Sequence, residues 1–392
     1  MTLEQEFFIQ ILSDHIRKEI TSPRFDIDWK SVAKLARSHQ VEGIVFFQCR
    51  DFMPEDVKSS FRQAYGTYFF SFANRKALYK EVITVLNQEN ISFISVKGFS
   101  IADYYPVPSL RTMGDCDLIV HRQDMPATMS IMRGLGFSGI DNKKAHDWEC
   151  VRNDFLFELH DSLVESADHI NALQEQFFNQ YDFFVNDGQL NWNFHFLYLL
   201  MHLRKHFMNS GVGIRQFMDI AVLLAYGPGF DWRWIKEKLE ELELSKFAKV
   251  CFSLIETWFG VKSPFDRFDL DPSFSDTVTE KLLSNGVFGD NNKENQGNYE
   301  RNVLNRRKGS LWLNRLLMLL RFAFPSYSYM RSYPRCGYVD GRVYLLPVSW
   351  IHRFILYLKQ KNRTTVSGKI KAALSPEAKL NDQREFLEKM GL

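Results

Sequence analysis

The chain has 392 residues, enough for two or three domains, and a formal net charge of +2, which excludes a molecule that meets polyanions with its whole surface. With 45% hydrophobic and 15% aromatic residues, 35 of them Phe, it can bury a sizeable core and is not a disordered chain. Residues 301–392 carry 18 Lys and Arg against 5 Asp and Glu, so the basic end is built to meet something anionic: phosphates, nucleic acid, a membrane or the acidic part of the same chain.

The five cysteines, Cys49, Cys116, Cys150, Cys251 and Cys336, are odd in number, scattered and without a CxxC pair, which fits a reducing, cytoplasmic setting. The N-terminus lacks a basic segment followed by an apolar run, so no signal peptide is expected. The most apolar stretch, Leu311–Phe324, is interrupted by Asn314, Arg315 and Arg321 and falls short of the ~18 apolar residues of a spanning helix.

In chain order, residues 1–90 read as helices. Phe7, Phe8, Ile11 and Leu12 recur at helical spacing, Asp26 or Asp28 caps a helix through Trp29, Val32, Leu35 and Ala36, and Phe61–Asn87 gives a long third helix. At Ile91 the character changes. Ile91–Val96 reads as a strand ended by Lys97-Gly98, Phe99–Tyr104 as a short helix, and Tyr105–Gly114, with Pro106 and Pro108, as a loop. Asp115–Val120 is a second strand, Pro126–Leu135 a helix, and Asp147–Arg152 with Phe155–His160 a hairpin turning at Asn153-Asp154.

From about 165 helices return, most clearly at Phe194–Phe207, Ile214–Tyr226, Trp232–Leu242 and Phe247–Phe259. Residues 284–300 are Asn- and Gly-rich and read as a loop or linker, followed by a basic Leu- and Phe-rich segment at 301–360 and a charged tail. The fold class expected is α+β: a small mixed-sheet core at 91–162, a helical region at 1–90, a helical domain at 163–283 and a basic extension at 301–392.

Chemistry concentrates around Asp115-Cys116-Asp117. A period of two puts Asp115 and Asp117 on one face of their strand, where two carboxylates repel unless a cation lies between them. Hard oxygen ligands on a rigid strand suit Mg²⁺, and Mg²⁺ usually means phosphate chemistry. Glu158, on a later strand, is either a third carboxylate or a solvated charge on an exposed face; three carboxylates suffice for a two-metal site. His160 shares the Glu158 face, orienting the carboxylates or merely lying beside them.

At the strand-to-helix turn Lys97-Gly98-Phe99-Ser100, Gly98 allows close backbone approach to a phosphate and Ser100 adds a hydroxyl. Lys97 either screens phosphate charge or is a solvated charge at a strand end; Arg111 either clamps a phosphate or pairs with Asp115. His195, His202 and His206 fall on one helical face without the further ligand that a metal helix needs, so they read as packed, hydrogen-bonded histidines lining a cleft. Lys205 and His206 are within reach of nucleotide phosphates. Arg215 and Asp219, four apart, read as a helix-surface pair or as a buried brace.

These residues carry a resemblance. Val96-Lys97-Gly98, Tyr105-Pro106, Leu110-Arg111, Gly114-Asp115-Cys116-Asp117-Leu118-Ile119-Val120 and Gly134-Leu135-Gly136-Phe137 resemble the uncharacterised bacterial nucleotidyltransferase family of the polymerase-β-like superfamily. Glu158-Leu159-His160 is similar to its ExH strand, and His202, Lys205-His206, Gly213, Arg215 and Asp219 to its later helical pattern. The resemblance spans roughly residues 25–260. One departure is the first turn, often Gly-Ser in the superfamily and Lys97-Gly98-Phe99-Ser100 here.

The resemblance implies nucleotidyl transfer from an NTP to an acceptor hydroxyl, dependent on Mg²⁺ or Mn²⁺, with Asp115, Asp117 and Glu158 as the metal triad. The acceptor, a small molecule, a protein or RNA, is not given by it. Two other readings stand beside the enzyme: a non-catalytic nucleotide-binding scaffold of the same fold, and an adaptor docking through 301–360 on a membrane, a partner protein or nucleic acid.

Overall fold

The computed structural model describes residues 1–139, 143–144, 147–164, 171–180, 190–208, 212–266, 268–286, 311–333, 335–359 and 377–392. The Asn- and Gly-rich stretch from residue 287 on and the basic run 301–310 lie outside them. The chain divides into two compact units, Met1–His206 with Val212–Val287, and Phe207–Gly211 with Phe288–Met390.

The first unit begins with helices α1 (Leu3–Arg17), α2 (Trp29–His39), α3 (Glu42–Cys49) and α4 (Glu55–Gln88). The expected apolar stripe of α1 is fully buried, and Thr2 and Gln5 close a capping box at its start. Asp28 caps α2 by accepting from the Lys30 N–H. Helix α3 is not legible in the sequence because Gly43-Ile44-Val45-Phe46 is buried all round and has no polar face to set a period.

The α+β expectation holds. Strands β1 (Phe93–Val96), β2 (Asp115–Val120), β3 (Lys143–Lys144), β4 (Asp147–Arg152) and β5 (Phe155–His160) form one mixed sheet in the order β1-β2-β5-β4-β3. Pairing is parallel between β2 and β5 and antiparallel elsewhere. β1 starts at Phe93 rather than Ile91 because Asn90, at φ 55°, turns the chain out of α4 and the Ile91 N–H still donates back to Leu86 O. Two further helices bracket β2: α5 (Gly98–Ala102) and α6 (Met125–Gly134). A single 3₁₀ turn at Pro108–Leu110 lies in the expected loop.

One sheet face is the core. Cys116, Leu118 and Val120 of β2 and Phe155, Phe157 and Leu159 of β5 point into it, against Leu78, Val82 and Leu86 of α4 and Met125 and Met132 of α6. The alternation along β5 therefore turns Leu156, Glu158 and His160 to the opposite face. The remaining helices of this unit are α7 (Ala172–Gln180), α8 (Trp192–Met208, its last two residues assigned to the second unit), α9 (Ile214–Tyr226), α10 (Trp232–Glu241), α11 (Ser245–Phe259) and α12 (Pro272–Asn285).

The second unit contains α13 (Leu311–Ala323), α14 (Tyr327–Ser332), α15 (Leu346–Lys359) and α16 (Glu377–Met390). Met330, Cys336 and Val339 form its small core. Tyr329 and Tyr333 pack on each other and take the Arg353 guanidinium over their faces. Helix α15 is amphipathic in reverse. Arg353 and Ser349 are buried, with Arg353 Nη1 donating to Phe322 O at 2.9 Å, while Val348, Ile351, Phe354 and Ile355 are exposed.

Candidate active site

Asp117 lies in the middle of the sheet, as register partner of Val96 on β1 and of Glu158 on β5. Register partners on parallel strands point to the same side, so Asp117 and Glu158 stand abreast on the face away from the core. His160, two residues further along β5, joins them. Its Nε2 lies 3.1 Å from Asp117 Oδ1 and 3.7 Å from Glu158 Oε2. Asp117, Glu158 and His160 each offer a ligand atom, and these atoms all lie within 4.8 Å of one another.

Asp115 opens the same strand beside Leu156 and stands outside that group, although it shares the face of Asp117. The third donor at the closest cluster is thus His160, which the sequence reading treated as a neighbour of the ligands. The signal for it was the i, i+2 spacing from Glu158.

Opposite these acids comes Lys97. Strand β1 ends at Val96, and Lys97 takes φ 58° and ψ −128°, a conformation that side chains rarely adopt and that costs about 1–3 kcal/mol. Two contacts hold it there. Its N–H donates to His195 Nε2 on α8 at 3.0 Å, and its Nζ donates to Asp117 Oδ1 at 3.2 Å. The Lys97 ammonium also sits 5.7 Å from the centre of the Tyr198 ring. His195, which the sequence reading placed only as cleft lining, is therefore part of the site, and so is Tyr198, which that reading did not single out.

The electrostatics follow from this packing. Burial by itself raises the Asp117 carboxyl, but the Lys97 ammonium and the hydrogen bond from His160 outweigh it and hold Asp117 below the ordinary carboxylate range. Asp115 is raised by burial and then by Asp117. Glu158 is pushed up to about 7 by burial, then by Asp117 and Asp115. Burial, reinforced by Lys97, lowers His195 to about 3, so its ring stays neutral and Nε2 remains an acceptor. Among the described residues, Asp115, Asp117 and Glu158 all draw on the Lys97 ammonium, and Arg111 also acts on Asp115. That donor set, two carboxylates and an imidazole backed by a third acid, fits a divalent cation.

A family model of uncharacterised nucleotidyltransferases matches residues 26–260, more than half of the chain and all of this site. The chain belongs to that family. No curated protein and no solved structure matches it with significance.

The remaining residues expected at the site of this nucleotidyltransferase divide into two groups. Gly98, at φ 31°, begins α5 directly after Lys97; it is buried, but a Cβ there would meet no atom within 4 Å, so space is left on that side of the turn. Ser100 follows it, but its Oγ donates to Ser95 O at 2.7 Å and so is committed to the turn itself. Lys205 and His206 lie in the last turn of α8, and His206 Nε2 meets His202 Nε2 at 2.8 Å.

Arg111 is engaged by α9. Its Nε and Nη2 donate to the two oxygens of Asp219, each at 2.8 Å, and the Tyr105 hydroxyl donates to the same carboxylate at 2.7 Å. It pairs with Asp219 rather than with Asp115. Asp219 is likewise not a helix-surface partner of Arg215, whose guanidinium donates instead to Thr112 O at 2.9 Å.

Proposed function

We propose that this protein moves a nucleotidyl group from an NTP to an acceptor hydroxyl, releasing pyrophosphate, with Mg²⁺ or Mn²⁺ as the metal. The observation that carries this reading is the convergence of Asp117, Glu158 and His160 on the sheet face to which Lys97, next to the Gly98 turn, donates. Asp117 and Glu158 would hold the metal with His160 as the third donor, and Asp115 would extend the acidic edge toward a second cation. A metal bound there supplies positive charge to the triphosphate and acidifies the acceptor hydroxyl. The Gly98 backbone receives the triphosphate, and Lys97 screens its charge. Glu158, poised to lose its proton near neutrality, sits on the acceptor side.

In this reading, residues 91–162 form a polymerase-β-like catalytic core of bacterial type. Residues 1–90 support it from one side, and 163–283 supply the cover through His195 and Tyr198. Five free, buried cysteines suit a reducing cytoplasm. The acceptor is a small molecule, a protein or an RNA. The test is an assay with α-phosphate-labelled NTPs, Mg²⁺ and fractionated acceptors, following label transfer and pyrophosphate release. Asp117→Ala retaining full transfer would refute the mechanism.

A second property concerns the C-terminal unit. We infer that the outward stripe Val348, Ile351 and Ile355 of α15, on a segment with 18 basic against 5 acidic residues, rests on an anionic membrane surface. No helix among the described residues is long and apolar enough to cross a membrane, so the contact is peripheral.

A further inference from the structure

Resting on the metal-site reading above, we propose that Lys97 is a tethered counter-ion of that site. Its ammonium holds the Asp117 carboxylate when no divalent cation does, and gives that carboxylate up when the metal binds, turning to the triphosphate.

Three observations carry this. First, Lys97 Nζ and His160 Nε2 both converge on one atom, Asp117 Oδ1, at 3.2 and 3.1 Å. A divalent cation coordinated by Asp117 and an ammonium on the same oxygen repel each other, so one excludes the other. Second, the backbone of Lys97 is fixed. Its left-handed conformation is locked by the N–H donated to His195 Nε2, and His195, fully buried on α8, stays neutral. Glycine adopts such a conformation freely; a long cationic side chain at this point bears the strain for the sake of where its ammonium lands.

Third, the ammonium has a short path to travel. The residue after it is Gly98, whose turn, with space left where a Cβ would stand, is the proposed seat of the phosphates. Rotation about the Lys97 side-chain bonds alone, with the backbone held by His195, carries the charge from the carboxylate toward that turn. One lysine would thus keep the acidic pocket satisfied when empty and neutralise substrate when full. His195 acts through Lys97 and is a positioning residue.

The test uses the full chain and Mn²⁺ as probe, read by electron paramagnetic resonance of free Mn²⁺ without nucleotide, alongside Mg·NTP affinity by fluorescent-analogue titration. Lys97→Met keeps an unbranched stem, one atom shorter, and removes the charge. It should bind Mn²⁺ more tightly than the wild type by roughly tenfold or more, the scale on which a neighbouring charge biases a site. The same variant should bind Mg·NTP more weakly by a similar factor. Lys97→Arg should stay near wild type in Mn²⁺ affinity. A merely structural lysine would move both affinities the same way.

Mn²⁺ affinity that is unchanged or weaker in Lys97→Met, while wild-type binding is abolished by Asp117→Asn, overturns the proposal and leaves the metal site standing. Mn²⁺ binding that ignores Asp117→Asn, or is absent from wild type and Lys97→Met alike, overturns the metal site itself. If Lys97→Met folds poorly, Lys97→Gln, which can still donate a hydrogen bond to Asp117, is read by the same two affinities.

Discussion

Asp117 and Glu158 are register partners on parallel strands, abreast on the sheet face away from the core. Adjacent carboxylates on a rigid sheet cannot move apart, so their mutual repulsion persists until a cation or a proton relieves it. Asp117→Asn should therefore abolish binding of Mn²⁺ at the site and NTP-dependent turnover, and should also lower the melting temperature of the empty protein, because it leaves the buried Lys97 ammonium without its carboxylate. Circular dichroism melts with a Mn²⁺ titration check both halves.

Metal affinity should depend on pH through Glu158. Its carboxyl titrates at about 7, so below that pH a cation must displace a proton to bind. Apparent Mn²⁺ affinity should climb as pH rises from 5 to about 7 and level off above. Glu158→Gln should flatten the slope and lower the plateau.

The same shift sets a stability prediction for the metal-free chain. A carboxyl whose folded value is raised binds more protons folded than unfolded, so stability falls as pH rises from about 4.5 to about 7. Above pH 7, Glu158→Gln should stabilise the metal-free protein by on the order of 2 kcal/mol, and not at pH 4. Urea melts at the two pH values measure it. Asp117, held low, contributes the opposite sign only at more acidic pH.

Arg111 should prove to be a brace. Its side chain is 10% exposed and that of Asp219 14%, so removing either leaves a buried charge without its partner. Arg111→Ala should cost about 3–5 kcal/mol of stability. The NTP affinity of the fraction that remains folded should stay close to wild type. A large loss of NTP affinity without a loss of stability would return Arg111 to the phosphates.

For the C-terminal unit, flotation with phosphatidylglycerol vesicles should carry the wild type upward at low salt and release it at high salt. Ile351→Glu should remain at the bottom. Flotation of both proteins alike, or of neither, would remove the membrane contact.

The sheet was legible because Leu118-Ile119-Val120 and the Phe155–His160 alternation impose a period of two, and Asp115, Asp117 and Glu158 sit at fixed places within it. The pairing of β2 with β5 depends on a partner 41 residues away, and no local pattern encodes it. For the same reason the Lys97–His195 and Arg111–Asp219 contacts, 98 and 108 residues apart, were beyond spacing rules. Arg111 looked like a phosphate ligand because an arginine in a loop next to two acids has the chemistry of one. Only the tertiary fold supplies the Asp219 and Tyr105 that engage it.

The most direct test of the nucleotidyltransferase reading is thermal stabilisation by each of the four NTPs, with and without Mg²⁺, in wild type and Asp117→Asn. Binding at a hundredfold excess over the dissociation constant stabilises by about 2.7 kcal/mol. The site described here predicts a Mg²⁺-dependent rise in melting temperature with at least one NTP that Asp117→Asn abolishes. No rise with any NTP, or an equal rise in Asp117→Asn, would contradict it.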